Sequence, residues 1–215
     1  MGDNDPGASP LILSEEELAE ISRHGIVREY RERTLLMTEG EHADTLYIIL
    51  QGRVRAYVSN ANGREAVLSV MGPGEYFGEL AYDHAPRSAS VISLEPCRLV
   101  VVPHTEFAAF VEQNPGFANH FIRKLIHRIR SLTESVRSLS LMDAYGRVAR
   151  LLLESSITKD GAQYVPERLT QVDIASRVGC SREMVSRIFK DLVQGNYISV
   201  LPDRIMINRK PPTHW

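Results

Sequence analysis

The hydrophobic pattern is most regular near the middle of the chain, where apolar residues recur at alternating intervals of three and four. This spacing predicts a helix over about 115–141 with one narrow apolar stripe, while charged side chains such as Arg123, Lys124 and Arg130 occupy its remaining surface. So narrow a stripe is typical of a coiled-coil seam, whereas a helix lying on its own domain usually carries a wider apolar face. We therefore favour a dimerisation helix over a helix packed on its own domain. The predicted seam consists of Ile122, Leu125, Ile129, Leu132, Val136 and Leu139.

The segment before this helix alternates short β-type runs with turn residues, from about residue 34 to residue 103. Strands repeated at intervals of about 8–12 residues predict a β-sandwich or barrel. The predicted strands are 45–50, 54–58, 66–70, 89–93 and 98–102.

A short helix is predicted on each side of this β region. Ser14 and Glu17 have the spacing of a capping box, and the apolar residues Leu18, Ile21 and Ile26 follow it, so one helix is expected over about 14–23. A second helix is expected at about 105–111. Residues 1–10 are expected to form a disordered tail.

The last third of the chain has the pattern of a helix-turn-helix. Asp143 is the expected N-cap of a helix over about 144–156, and residues 157–168 are expected to form a loop or a small hairpin. Thr170 and Ser181 are expected to cap the two helices of the motif, and Gly179 to supply the left-handed turn between them. Two strands at 197–200 and 204–207 then predict a wing. The residues expected inside the motif are Val172, Ile174, Ala175, Val178, Met184, Val185, Ile188, Phe189 and Leu192.

The opposite face of the second helix has the chemistry of a surface that reads double-stranded DNA. Arginine can donate two hydrogen bonds to guanine, and glutamate can accept one from cytosine. The chain carries a net charge of −2, but from Thr170 onward it has seven basic and four acidic residues, which leaves this region at +3. The residues expected on the exposed face are Arg182, Glu183, Ser186, Arg187 and Lys190.

Composition argues against several other classes of protein. No apolar run reaches the roughly 18 residues that a membrane span needs, and the N-terminus lacks the basic and apolar regions of a secretory signal. The two cysteines, Cys97 and Cys180, favour a cytoplasmic protein and cannot supply the four thiolates of an iron–sulfur cluster. No nucleophile–base pair, metal-ligand spacing or phosphate loop predicts an enzyme or a metal site.

Residues 179–187, Gly-Cys-Ser-Arg-Glu-Met-Val-Ser-Arg, resemble the recognition helix of the cyclic-AMP receptor protein family of transcription regulators, also called the CRP/FNR family. The resemblance implies that Arg182, Glu183 and Arg187 read bases, while Thr170 and Ser181 contact phosphates. It also implies a TGTGA-like half-site, repeated in a palindrome because a homodimer is two-fold symmetric. RNA polymerase is a further implied partner.

Residues 77–81 and 86–90, FGELA and PRSAS, resemble the phosphate-binding cassette of cyclic-nucleotide-binding domains. A bound cyclic phosphodiester needs an arginine, a hydroxyl and backbone N–H groups around its negative charge. The resemblance assigns Arg87 and Ser88 to the phosphate and Glu79 to the ribose 2′-hydroxyl. It assigns the close backbone approach to Gly78 and the N–H donors to Leu80 and Ala81. The alternative is a β-roll kept as a scaffold without a ligand.

The cassette departs from the family pattern in two places. The interval between Glu79 and Arg87 is shorter by one or two residues. In addition, Leu132 and Thr133 stand where responsive members often carry two hydroxyl residues that grip the purine, so one of those hydroxyls is lost. Cyclic AMP is the expected effector; cyclic GMP, cyclic di-GMP and ligand-independent activity remain alternatives.

The expected fold is therefore α+β: a jelly-roll-like β-roll, a long coiled-coil helix and a C-terminal winged helix-turn-helix. The expected domains are a tail at 1–10, a cyclic-nucleotide-binding domain at 11–114, a dimerisation helix and hinge at 115–142, and a DNA-binding domain at 143–215. A nucleotide sensor that acts on a protein partner is the alternative from a different class.

Overall fold

The computed structural model describes residues 12–166 and 169–212. It divides into two compact units: the first ends at residue 131 and excludes 61–66, and the second contains 61–66 and everything from 132 onward. The predicted tail at 1–10 lies outside the described residues.

The first unit is built from two four-stranded antiparallel sheets, with strand orders β1-β8-β3-β6 and β2-β7-β4-β5. Their elements, with the helices around them, are α1 (Glu15–Ser22), β1 (Ile26–Tyr30), β2 (Leu35–Met37), β3 (Thr45–Gln51), β4 (Val54–Ser59), β5 (Glu65–Met71), β6 (Tyr76–Phe77), a 3-10 helix (Glu79–Asp83), β7 (Ser90–Ser93), β8 (Cys97–Pro103), α2 (His104–Gln113) and the first half of α3 (Pro115–Leu141). All five predicted strands and all three predicted helices are present.

Side-chain alternation along β8 explains how the first unit buries both faces of its first sheet. Leu99 belongs to a cluster shared with β4, β5 and β7, so it packs between the two sheets. Val100 and Val102 belong to a second cluster, in which helices α1, α2 and α3 cover the outer face of the sheet. Two apolar layers therefore fix the position of the cassette strand β6, which contributes Phe77 to the first cluster and Tyr76 to the second.

Helix α1 begins at its predicted cap, and the residues shortly after it form a strand that the sequence does not reveal. The predicted capping box is confirmed: the Ser14 hydroxyl accepts from the Glu17 N–H at 3.2 Å, and the Ser14 N–H donates to the Glu17 carboxylate at 2.9 Å. Ile26, which lies beyond the predicted end of this helix, begins the unpredicted strand β1 and is 66% exposed. This edge strand lacks the apolar alternation that would have revealed it.

Helix α3 has the predicted bounds, but Lys124 does not lie on its charged surface. Phe117, Phe121 and Lys124 are spaced four and three residues apart, so they share the face that packs against Tyr76, and all three are buried. Of the predicted seam residues, Leu125 is partly buried against the first unit's core, and the other five are exposed. Ile126, which the predicted seam omits, is exposed as well.

The second unit contains the winged helix-turn-helix. Its elements are the second half of α3, α4 (Ala144–Glu154), β9 (Ile157–Lys159), β10 (Ala162–Val165), α5 (Gln171–Val178), α6 (Arg182–Gln194), β11 (Ile198–Val200) and β12 (Ile205–Ile207). The strands form one antiparallel sheet in the order β11-β12-β10-β9. The small hairpin expected after α4 is therefore present as β9 and β10, and the wing as β11 and β12.

One apolar cluster joins α4, α5, α6 and the sheet of the second unit. Ile174, Ala175 and Val178 are buried in it, as predicted. Val172 is not: it is 59% exposed, because two residues of helix turn it about 200° away from Ile174. None of the helices in the described part of the chain is long and apolar enough to cross a membrane.

Candidate nucleotide cassette and DNA-reading helix

Arg87 is the buried centre of the cassette. Its guanidinium donates to the Thr45 carbonyl at 2.8 Å, to the Thr45 hydroxyl at 3.0 Å and to the Gly78 carbonyl at 3.2 Å. The Arg87 side chain is 5% exposed, and the nearest carboxylate, that of Asp44, is 3.8 Å away and largely exposed. Burial lowers the pKa of Arg87, against the opposing effect of nearby acidic groups. A buried cation surrounded mainly by neutral oxygens is electrostatically suited to an anion.

Gly78 is required for this arrangement. Its φ is +83°, and a Cβ at this position would lie 2.9 Å from an Arg87 guanidinium nitrogen and 2.9 Å from the Thr45 carbonyl oxygen. A larger residue would therefore be strained and would displace the arginine. The close approach of the Gly78 backbone to a bound phosphate, which the sequence leads us to expect, stays a prediction; the close approach seen here is to Arg87 and Thr45.

Glu79 begins the 3-10 helix directly after Gly78. Its carboxylate pairs with Lys124, which the sequence pattern predicts on the charged surface of α3. The Glu79 Oε2 lies 3.8 Å from the Lys124 Nζ, and the two side chains are 14% and 8% exposed. Leu80 and Ala81 follow in the same 3-10 turn. Gly78, Glu79 and Arg87 are thus brought together in the first unit.

Four other residues assigned to the ligand have exposed side chains. Ser88 and Leu80 are exposed. Leu132 and Thr133 are exposed residues on the part of α3 that belongs to the second unit. Within the described ranges, no group of three or more histidine, cysteine, aspartate or glutamate side chains is arranged to hold a metal ion.

The helix-turn-helix has the predicted caps. Thr170 and Asp173 form a capping box at the start of α5, with the Thr170 hydroxyl accepting from the Asp173 N–H at 3.1 Å. Gly179 ends α5 in the left-handed conformation, with φ of +69°. The Ser181 hydroxyl then accepts from the Met184 N–H at 3.2 Å and starts α6. These contacts fix the angle at which α6 leaves the turn.

The exposed face of α6 carries the predicted polar side chains. Its buried face contributes to the second unit's core, so the opposite face is open to a partner. The pKa of Glu183 is lowered, chiefly by hydrogen bonds to its own backbone and to Ser181 and further by Arg182 and Arg187, so this carboxylate is ionised and can accept from a base edge. The exposed residues are Arg182, Glu183, Ser186, Arg187 and Lys190.

Sequence reasoning missed two residues that organise these sites. Thr45 supplies two of the oxygens around Arg87, although it lies 42 residues away along the chain and no local motif points to it. Arg147, on α4, donates to the Met142 carbonyl at 2.7 Å and to the Val178 carbonyl at 2.8 Å. It thereby ties the turn before α4 to the end of α5.

Comparison with known proteins gives the family. A cyclic nucleotide-binding domain model matches residues 27–114, and a Crp-like helix-turn-helix model matches residues 146–211. The chain is 31% identical over 192 residues to the cAMP-activated global transcriptional regulator CRP of Pasteurella multocida, covering 86% of this chain and 90% of that protein. It is 32% identical over 178 residues to the CRP-like cAMP-activated global transcriptional regulator of Mycobacterium tuberculosis, covering 80% of each.

Solved structures agree with this assignment. The c-di-GMP responsive global regulator CLP of Xanthomonas campestris has the same fold, with a TM-score of 0.78 and 23% identity over 89% of this chain and 98% of that one. The catabolite activator protein of Thermus thermophilus matches with a TM-score of 0.55 and 27% identity over 94% of each chain. The chain therefore belongs to the CRP/FNR family and is a DNA-binding transcription regulator with a cyclic nucleotide-binding domain.

Proposed function

We propose that the chain works as a homodimer whose affinity for a palindromic, TGTGA-like DNA site is raised by cyclic AMP. The observation that carries the proposal is the burial of Arg87 beside Gly78 and Glu79, where the guanidinium has two carbonyls and a hydroxyl as its near partners. An anionic phosphodiester would supply a negative charge next to the buried Arg87 guanidinium, whose near partners are neutral oxygens.

Cyclic AMP fits the polar groups of the cassette. Its phosphate carries one negative charge for Arg87 and can accept from the exposed hydroxyl of Ser88. Its ribose 2′-hydroxyl can donate to the Glu79 carboxylate. We further propose that Thr133 offers one hydroxyl to the purine, while Leu132 offers none. The two curated relatives described above are named as cAMP-activated, which favours the same effector here. The likeness to a c-di-GMP responsive regulator makes cyclic di-GMP the first alternative, ahead of cyclic GMP and of ligand independence.

The exposed face of α6 is proposed to enter the major groove. Arg182 and Glu183 lie in its first turn, where recognition helices contact base edges, and Arg187 reaches a different base. Thr170 and Ser181 are proposed to contact phosphates, with Ser186 and Lys190 completing the interface. Since DNA binding requires access to the chromosome, the proposed location is the cytoplasm, and RNA polymerase is the proposed protein partner.

The proposed dimer forms through α3. Burying one large apolar side chain stabilises an assembly by about 1.5–3 kcal/mol, so the exposed residues of this helix favour self-association. We keep the predicted seam and add Ile126, which is exposed on the same helix. The proposed interface is Ile122, Leu125, Ile126, Ile129, Leu132, Val136 and Leu139.

Calorimetric titration with cyclic AMP, cyclic GMP and cyclic di-GMP tests the effector. We expect cyclic AMP to bind most tightly. Ser88→Ala removes an exposed hydroxyl and should weaken cyclic AMP about tenfold, while Arg87→Met should weaken it about 100-fold or more. Arg98→Met, at an exposed arginine of β8, is the matched control and should bind like the parent. The proposal fails if no cyclic nucleotide binds, or if Arg87→Met binds as well as the parent.

A nucleotide sensor that acts on a protein partner is the competing function. The two differ in their response to salt, because each phosphate contact releases counterions when a protein binds DNA. We expect the affinity for a TGTGA-containing duplex to fall steeply between 50 and 200 mM salt, by about 10³-fold or more if each dimer makes six or more phosphate contacts. A shallow salt dependence, or no measurable binding to DNA, favours the competing function.

A further inference from the structure

A buried lysine lies beside the carboxylate that the proposed function assigns to the ribose. The Lys124 Nζ is 3.8 Å from the Glu79 Oε2, and both side chains are largely shielded from water. The two residues come from different elements, because Lys124 is on α3 and Glu79 begins the 3-10 helix of the cassette. The pair therefore joins the long helix to the pocket within the first unit.

The position of the Lys124 ammonium is fixed from two other directions. The Nζ lies 3.2 Å from the centre of the Tyr76 ring and donates a hydrogen bond to the Tyr76 backbone carbonyl. Cation–π contacts of this kind hold an ammonium group against an aromatic face. Tyr76 is itself buried in the cluster that α3 covers. The lysine charge thus has one defined position rather than the mobility of a surface lysine.

A charge in this place is unfavourable for folding unless it has a partner. Burial lowers the pKa of Lys124 to about 8, while the carboxylates of Glu79 and Glu75 act in the opposite direction. The Glu75 carboxylate already accepts from the Gly72 N–H at 2.8 Å, so it has a structural role of its own. An apolar residue would fill the same space at lower free energy. We therefore explain the presence of Lys124 by its charge interaction with Glu79 and not by its contribution to packing.

The effect on Glu79 follows from electrostatics. Opposite charges attract more strongly where water is excluded, so the Lys124 ammonium, on the side of Oε2, holds the Glu79 carboxylate in one orientation. The other oxygen, Oε1, is the one we assign to the sugar hydroxyl, which can donate a charge-assisted hydrogen bond to it.

We infer that Lys124 is the counter-ion and positioning residue of Glu79, and that it sets the preference of the pocket for nucleotides with a ribose 2′-hydroxyl. This inference rests on the proposed function, because it assumes that a cyclic nucleotide occupies the cassette.

The test compares cyclic AMP with 2′-deoxy cyclic AMP by calorimetric titration of the full chain. The parent should prefer cyclic AMP by about tenfold or more, the range expected for one hydrogen bond to a charged group. Lys124→Met keeps a long apolar side chain over Tyr76, and Lys124→Gln keeps a donor for the Tyr76 carbonyl. Both variants should reduce the preference to less than about threefold by weakening cyclic AMP while leaving the deoxy compound nearly unchanged.

Glu79→Gln should have the same effect as the lysine variants. Adding Lys124→Met to Glu79→Gln should cause no further loss of preference, because the two residues act as one unit. Lys159→Met, at an exposed lysine of β9, is the matched control and should retain the parent preference.

The inference is overturned if the folded lysine variants keep the preference of the parent, or if they weaken both nucleotides equally, which would indicate a purely structural role. If one lysine variant does not fold, the other one and Glu79→Gln decide in the same way. A parent that binds neither nucleotide refutes the proposed function, and this inference with it. A parent that binds both, with unchanged lysine variants, refutes the inference alone.

Discussion

Arg147 connects two turns of the second unit, and its replacement should loosen the helix-turn-helix. Its Nε donates to the Val178 carbonyl at the end of α5, and an Nη donates to the Met142 carbonyl before α4. Arg147→Met removes both donors while keeping much of the apolar stem. Each hydrogen bond from a charged group contributes about 1.5–3 kcal/mol, and access of water to the half-buried arginine reduces the sum. We expect the free energy of unfolding of this unit to fall by about 2–4 kcal/mol.

Hydrogen exchange measured by mass spectrometry separates this effect from changes in the first unit. A loss of about 2–4 kcal/mol corresponds to exchange that is roughly 30- to 1,000-fold faster for the most protected amides of α6. Amides of β3 and β8, in the first unit, serve as the internal control and should exchange as in the parent. Lys159→Met is the control for losing one positive charge from the same unit. Less than about threefold acceleration in α6, or equal acceleration in both units, would refute the reasoning.

Three further outcomes are expected. Gly179→Ala forces a side chain into φ of +69° and should destabilise the second unit by about 1–2 kcal/mol in urea unfolding. The control Gly116→Ala, at a position with open space and no positive φ, should not lower stability, and equal effects of the two substitutions would contradict the prediction. Ile129→Asp places a charge in the proposed dimer interface and should give a monomer in analytical ultracentrifugation, whereas a dimer unchanged in stability would exclude that interface. Burial lowers the pKa of Lys124 from 10.5 to about 8, so between these pH values the folded state holds fewer protons than the unfolded chain, and the free energy of unfolding should rise with pH. This rise should be smaller in Lys124→Met, and an identical pH profile in the variant would contradict the prediction.

Most secondary structure could be predicted because local rules decide it. The caps at Ser14, Thr170 and Ser181 use side chains within three residues of the N–H groups they accept from, so sequence spacing alone reveals them. The bounds of α3 follow from apolar residues that recur at alternating intervals of three and four along the helix. The sequence does not predict the strand that begins at Ile26, because an edge strand needs no alternation of apolar and polar residues.

The candidate sites could be predicted only as far as their motifs extend. Gly78, Glu79 and Arg87 are close in sequence, but Thr45 reaches the same guanidinium through the pairing of distant strands. Lys124 follows the polar pattern of an exposed residue, and its burial results only from the packing of α3 over Tyr76. A charged residue inside a helix face reads as solvent-exposed unless its tertiary partner is known.

The central claim is that a cyclic nucleotide controls DNA affinity, and fluorescence anisotropy of a labelled TGTGA-N6-TCACA duplex tests it most directly. The titration is run at one fixed salt concentration, without ligand and with cyclic AMP, cyclic GMP or cyclic di-GMP. We expect cyclic AMP to tighten binding by about tenfold or more, equivalent to about 1.4 kcal/mol of coupling, and Ser88→Ala to shift this response to higher ligand concentrations. Tight binding that is indifferent to all three nucleotides would contradict the claim and leave the β domain as a scaffold.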